Sequence, residues 1–243
     1  MRNVLSVAKR EFNMYFASPV AYAVAFALLL VMGLFFYSDF VNAAVFGSPP
    51  DPNRSVSLFT TLMLFLLPAI TMRLLAEEQR TGTIELLLTA PVREWELVTG
   101  KWLAALGFVT ILIALTGVYA FILGRFTVPG LDLGTLAAAY IGVFLLSGAL
   151  LAVGVFVSSL FSNQIAAFFG IMAAQLLFWV ISYPVQNDTG PVAAVLKHLD
   201  FTNHFYTNFL TGVVDLTDVI YFASVIVFFL FIASRVVESR RWR

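Results

Sequence analysis

The sequence contains no cysteine, so it can build neither a disulfide framework nor a thiolate metal site. It has two histidines, His198 and His204. Two are too few for a metal cluster, and their i, i+6 spacing does not place them on one helix face. Charge is scarce: Asp, Glu, Lys and Arg make up 12% of the chain, where a soluble domain carries about 25%. Hydrophobic residues make up 60%. A soluble core of this size cannot hide so much apolar surface, which excludes a water-soluble helical bundle. The formal net charge is zero, so no global attraction to nucleic acid is implied.

Two further absences concern energy. A phosphate-cradling loop needs Gly-x-x-x-x-Gly-Lys-Ser/Thr. The one Gly-Lys pair, Gly100-Lys101, is followed by Trp102, and Trp95 stands where the first glycine belongs. This chain is therefore not expected to hydrolyse ATP or to bind a cofactor. Nor does any ionisable residue fall in the middle of an apolar run, as ion-coupled carriers and pumps require. Asp39, Arg73 and Arg235 lie near the run ends, and Gln175 is the deepest polar residue. An interhelical hydrogen bond is its expected role.

What is present is length. A membrane span needs about 20 mostly apolar residues. Six stretches qualify: 20–40, 56–75, 103–123, 136–160, 164–184 and 219–237. The expected fold is an all-α integral membrane protein with six transmembrane helices, formed as a single domain over 1–243. Placing both termini inside leaves only Arg54, Arg125 and Lys197 among the outer Lys and Arg residues, which predicts an N-in, C-in topology. The first run is too long for a signal peptide and no small-residue site closes it, so it is expected to be retained. Small-residue rows, Gly148 with Ala152 and Gly154 with Ser158 among them, predict close helix contacts, within the chain or at a dimer seam.

Two flanking segments carry amphipathic patterns. In 1–19, Leu5, Ala8, Phe12 and Phe16 fall near one helical face, predicting an interfacial helix with that stripe in the acyl boundary; a disordered basic tail is the alternative. In the outer segment 185–218, Phe201, Phe205 and Phe209 stand at i, i+4, i+8, away from Asn203, Thr207 and Thr211. That pattern predicts either a helix dipping into the outer leaflet or a lid packed on the bundle.

The inner connection, 76–102, is the most specific part. It reads as a charged helical extension through Glu77, Glu78 and Arg80 and a breaker at Gly82. A short helix follows, capped by Thr83, with Ile84, Leu87 and Leu88 on its apolar face and Pro91 ending it. Exposed leucines on such a helix call for a docking surface. The run Ala-Glu-Glu-x-Arg-x-Gly-Thr-x-Glu-Leu-Leu-Leu-Thr-x-Pro-Val, ending in Gly-Lys, resembles the signature of the ABC-2 type permeases. Asp132-Leu133-Gly134, the run 158–164 and the run 215–221 are similar to the branch typified by the gliding-motility permease GldF.

The resemblance implies that 83–89, including Glu85, Leu86, Leu87 and Leu88, is a coupling helix that seats in a cleft of an ATP-binding subunit. Glu77, Glu78 and Arg80 would lie at its approach and Gly100 and Lys101 at its exit. It implies an interfacial N-terminal elbow and a re-entrant outer segment. It also implies two copies of an ABC ATPase carrying ATP and Mg, a second permease chain in a homo- or heterodimer, and membrane lipid as surroundings; an extracytoplasmic auxiliary subunit is a further partner to look for. The expected function is a permease subunit in the cell membrane for a hydrophobic, lipid-like or peptide-like cargo. The alternative is an envelope complex that transmits force and moves no solute. A membrane-embedded enzyme would have to gather the scattered Asp39, Asp51, Asp132, His198, Asp200 and His204.

Overall fold

The computed structural model describes residues 2–47, 52–82, 93–126 and 132–240; the described residues are mostly helical, with no strand among them. The helices are α1 (Arg2–Ala17), α2 (Pro19–Phe46), α3 (Pro52–Thr71), α4 (Ala76–Arg80), α5 (Glu94–Phe126), α6 (Leu133–Leu160), α7 (Gln164–Val180), α8 (Pro191–Leu199), α9 (Phe201–Thr207) and α10 (Leu216–Arg240). Single 3-10 turns lie at Tyr183–Val185 and Phe209–Thr211.

Six helical stretches are long and apolar enough to cross a membrane: Pro19–Asn42, Asn53–Arg80, Glu94–Arg125, Leu133–Leu160, Gln164–Val185 and Leu216–Ser239. They coincide with the six predicted runs and extend past several of them. The largest extension is α5, whose 33 residues make it about 50 Å long, well beyond the ~30 Å hydrocarbon thickness. Glu94, Glu96 and Lys101 lie in its first turns. Arg93 starts this helix, and Glu96 reaches back to accept from the Arg93 N–H at 3.0 Å.

The helices divide by what surrounds them. In α6 78% of the most apolar window is buried inside the protein, against 22% in α2, α7 and α10. α6 is thus the central post and the others leave apolar faces outward. Small residues let neighbours reach that post. A Cβ on Gly154 would stand 2.4 Å from Thr71 Oγ1 of α3, and one on Gly148 would stand 3.2 Å from Ile226 of α10. These rows serve packing within the chain. Gln175 donates to the Leu150 carbonyl of α6 at 3.0 Å, the predicted interhelical bond.

α1 is a helix that packs on the bundle by one face. Val4 and Glu11 are buried, and Val7, Ala8, Phe12 and Tyr15 are partly covered, where the helix packs along α5. Leu5 and Phe16 stay exposed. The reason lies in α5: Gly100 and Gly107 open a groove, and a Cβ on Gly100 would sit 2.8 Å from Val7. The glycine groove lets α1 lie close against α5, with Glu11 on the inner side.

Candidate functional site

The start of α2, the end of α3 with α4, the start of α5 and the end of α6 meet at one end of the bundle. α3 carries Pro68, which removes one helical hydrogen bond, and the helix gives out at Thr71. The backbone between α3 and α4 then needs partners. Ser158 of α6 supplies them: its hydroxyl accepts from Leu75 N at 3.2 Å and Ala76 N at 3.1 Å, and donates to Met72 O at 3.2 Å. Gln79 Nε2 adds a bond to Ser159 O at 2.8 Å. The segment ends on Gly82, whose φ of +70° is a left-handed value that favours glycine.

At the centre of this end lies Lys101. Its side chain is 2% exposed and its ammonium sits 2.7 Å from Glu78 Oε1 and 3.1 Å from Glu11 Oε1. Buried lysine is costly unless paired, so both carboxylates are needed in place. Arg10 faces Glu11 at 2.7 Å. Arg73 holds Glu77 at 3.2 Å and donates to Ser18 Oγ at 2.7 Å, and Arg80 stands 3.9 Å from Glu77. Tyr15 is stacked on Phe108 and its phenol is pushed above its ordinary range, first by burial and then by the Glu11 charge. Arg10, Tyr15, Ser18, Ala69, Arg73 and Lys101 are among the walls of a pocket of about 600 Å³.

Of the predicted docking residues, Glu77, Glu78, Arg80, Gly82, Gly100 and Lys101 are thus placed. Glu78 and Lys101 are brought into direct contact, so the two stems of the 83–92 connection are pinned together. Gly100 serves the α1 groove. Thr83, Glu85, Leu86, Leu87, Leu88 and Pro91 lie outside the described residues. Sequence reasoning missed Glu11, Tyr15 and Ser158. Glu11 and Tyr15 were detectable only as polar groups one step off the assumed α1 stripe, and Ser158 was read as a small residue.

The opposite end is built differently. Phe201, Phe205 and Phe209 have no exposed surface, which fits the lid packed on the bundle and not the helix dipping into lipid. Amphipathicity was read correctly, with Asn203, Thr207 and Thr211 exposed, and the apolar face turns to the bundle. The physical reason is Gly142 of α6, where a Cβ would be 2.5 Å from Phe209 Cβ; the segment seats in that notch. Polar groups hold it. Asp200 accepts from Ser182 and from Thr202 N. His204 lies with Nδ1 2.6 Å from Asp218 and Nε2 2.9 Å from the His198 carbonyl. Asp218 also accepts from Asn208 Nδ2 at 2.7 Å. Asp39 pairs instead with Arg54 at 2.9 Å, and Asp132 caps α6. Among the described residues no group of three or more His, Cys, Asp or Glu side chains is arranged to hold a metal ion.

Residues 42–235 match the family described as ABC-2 family transporter protein. Over 139 residues the chain is 29% identical to the "Probable multidrug ABC transporter permease YbhR" of Escherichia coli K12, and equally to that of Escherichia coli O157:H7. The match covers 54% of this chain and 35% of each relative, so it spans about a third of the length of those curated proteins.

Proposed function

Because this chain belongs to the ABC-2 transporter family, we propose that it is the membrane-spanning permease subunit of an ATP-driven transporter, with ATP hydrolysis on a separate subunit. The carrying observation is the Lys101 clamp: it ties the approach (Glu78) and the exit (Lys101) of residues 83–92 to each other and to α1. A loop pinned in this way delivers a push on its tip to α3, α5 and α1 together. Residues 83–89 dock on the ATPase. Closure of an ATPase pair moves two such clamps, and the seam between two permease chains changes its opening. Both termini lie in the cytoplasm, a reading supported by the Lys and Arg residues gathered at the clamp end. The interfacial role of α1 draws on its exposed Leu5, Met14 and Phe16.

Cargo is constrained by how polar groups are spent. Thr60, Thr71, Thr110 and Thr116 each donate to a backbone carbonyl of their own helix, so their hydroxyl donors are already used. This favours a hydrophobic, lipid-like or peptide-like cargo of the kind the relatives' multidrug name allows. It equally favours the second reading, in which the same docking transmits force to an envelope partner, as the gliding-motility likeness suggests, and no solute moves.

The test is a pull-down of the tagged chain from solubilised membranes with ATPase activity measured on the eluate. A P-loop protein is expected to co-purify, and to be lost when Glu85→Lys is combined with Leu87→Ala. Intact association in that double variant would sink the docking assignment. Counterflow in vesicles, present or absent, separates transport from force transmission.

A further inference from the structure

We propose that the pocket between α1, α2, α3 and α5 is a binding site for an anionic phospholipid, with its phosphate on Arg10 and Arg73 and the start of an acyl chain along Ala21, Ala69 and Ile70. The assignment rests on the membrane placement given above and needs no ATPase contact.

The shape fits first. At about 600 Å³ the pocket lies in the range of small-molecule sites, about 300–1,000 Å³. Its wall changes character over one helical turn. On α3, Ala69 and Ile70 give way to Arg73; on α2, Ala21 lies one turn from Ser18. That gradient reproduces the boundary between acyl chains and headgroups.

The chemistry fixes the sign of the head. Each carboxylate around the pocket has a cationic partner: Glu11 has Arg10 and Lys101, Glu78 has Lys101 on Oε1, and Glu77 has Arg73 and Arg80. Donors remain. Arg73 commits Nε to Glu77 and Nη1 to Ser18, and Arg10 commits Nη2 to Glu11, which leaves further N–H groups on each planar fork. Both side chains keep access from outside, at 36% and 50% exposed. The Tyr15 hydroxyl is buried at the pocket wall with no hydrogen-bond partner. A site richer in free donors than free acceptors takes phosphate, in fork geometry, rather than an ammonium head. The apolar wall then selects a lipid over the free anion.

The full chain is reconstituted in phosphatidylcholine nanodiscs holding a trace of phosphatidylglycerol with a photoactivatable acyl chain, and adducts are mapped by peptide mass spectrometry. Adducts are expected at Ala21 and at Ala69–Ile70. They should fall about tenfold in Arg10→Gln/Arg73→Gln, the fold-change of one lost charge-assisted bond or more. Adducts on the outward Phe228 and Phe231 of α10 should not change, which controls for folding. Ala69→Trp keeps both arginines, fills the apolar wall and should give the same loss. Pocket labelling that survives the double arginine change, or an equally strong reaction with a diacylglycerol probe lacking phosphate, overturns the proposal. Loss of labelling on adding inorganic phosphate would assign the site to the free anion and overturn the lipid. None of these readouts depends on ATPase binding, so a failure here leaves the docking reading standing.

Discussion

Both ends of the bundle bury charge, but they recruit it over different distances. At the clamp end, Glu11 and Lys101 are 90 residues apart in sequence. At the opposite end, Ser182 and Asp200 are 18 apart and His204 and Asp218 are 14 apart. The clamp therefore exists only when α1, α4 and α5 are assembled. The charged groups of the opposite cap are paired with near neighbours in sequence, and the cap seats on Gly142. A joint made of distant elements is suited to passing motion between them, whereas a locally paired cap is suited to closing an end.

The comparison is broken most severely at Lys101. Lys101→Met strips Glu78 of the ammonium it contacts and leaves Glu11 with the half-exposed Arg10 alone, and breaking a buried pair costs about 3–5 kcal/mol. A large fall in Tm in detergent is expected. Replacing Glu11, Glu78 and Lys101 together by Met should restore most of that stability, since well-packed apolar substitutes for buried ion pairs are often neutral. The restored chain should still bind the ATPase through 83–89 but show uncoupled turnover. If the triple variant couples normally, the clamp is scaffolding and the contrast between the ends loses its functional meaning.

At the other end the largest lever is steric. Gly142→Leu places a side chain where Phe209 stands, and overpacking of this kind costs about 1–3 kcal/mol. The cap should come loose as a unit, seen as new protease cleavage within 185–218, while association with the ATPase persists. Loss of that association would mean the two ends are not independent. A smaller effect is expected inside the cap. Asp218→Ala removes the acceptor of both His204 and Asn208, a loss of about 1–3 kcal/mol for the buried groups left unpaired. Asp218→Asn keeps an acceptor and should recover part of it.

The difference in range also explains what could be read from the sequence. The six spans were legible because apolar length is a property of a continuous stretch. The amphipathic face of 201–211 was legible for the same reason. What that face would meet was not, because lipid and the Gly142 notch are both apolar to a periodicity argument. At the clamp end, the charged residues flanking 83–92 were legible as a motif. Their convergence on one lysine was not, since Glu11 becomes a partner only after Gly100 and Gly107 admit α1 to the side of α5. Ser158 shows the same limit: one hydroxyl serving three backbone groups of another element leaves no local pattern.

The finest test of the local end is acid. Asp132 starts α6, its carboxylate accepting from Thr135 Oγ1 at 2.8 Å and Gly134 N at 2.9 Å. Those bonds, the Thr135 hydroxyl first, hold its carboxyl below the usual aspartate range. A group whose folded pKa is depressed adds stability above its unfolded pKa, and that stability is lost as pH falls through the folded value. The start of α6 should therefore loosen at acid pH, below the ordinary aspartate range. Gly212 lies against this turn, where a Cβ would be 2.6 Å from Thr135 Oγ1, so the cap should feel the change. Asp132→Asn keeps a good capping oxygen without a titrating group. Its Tm should match the parent at neutral pH and fall less on acidification. A variant that loses stability in acid as steeply as the parent would show that the Asp132 carboxyl is not the group through which acid loosens this end.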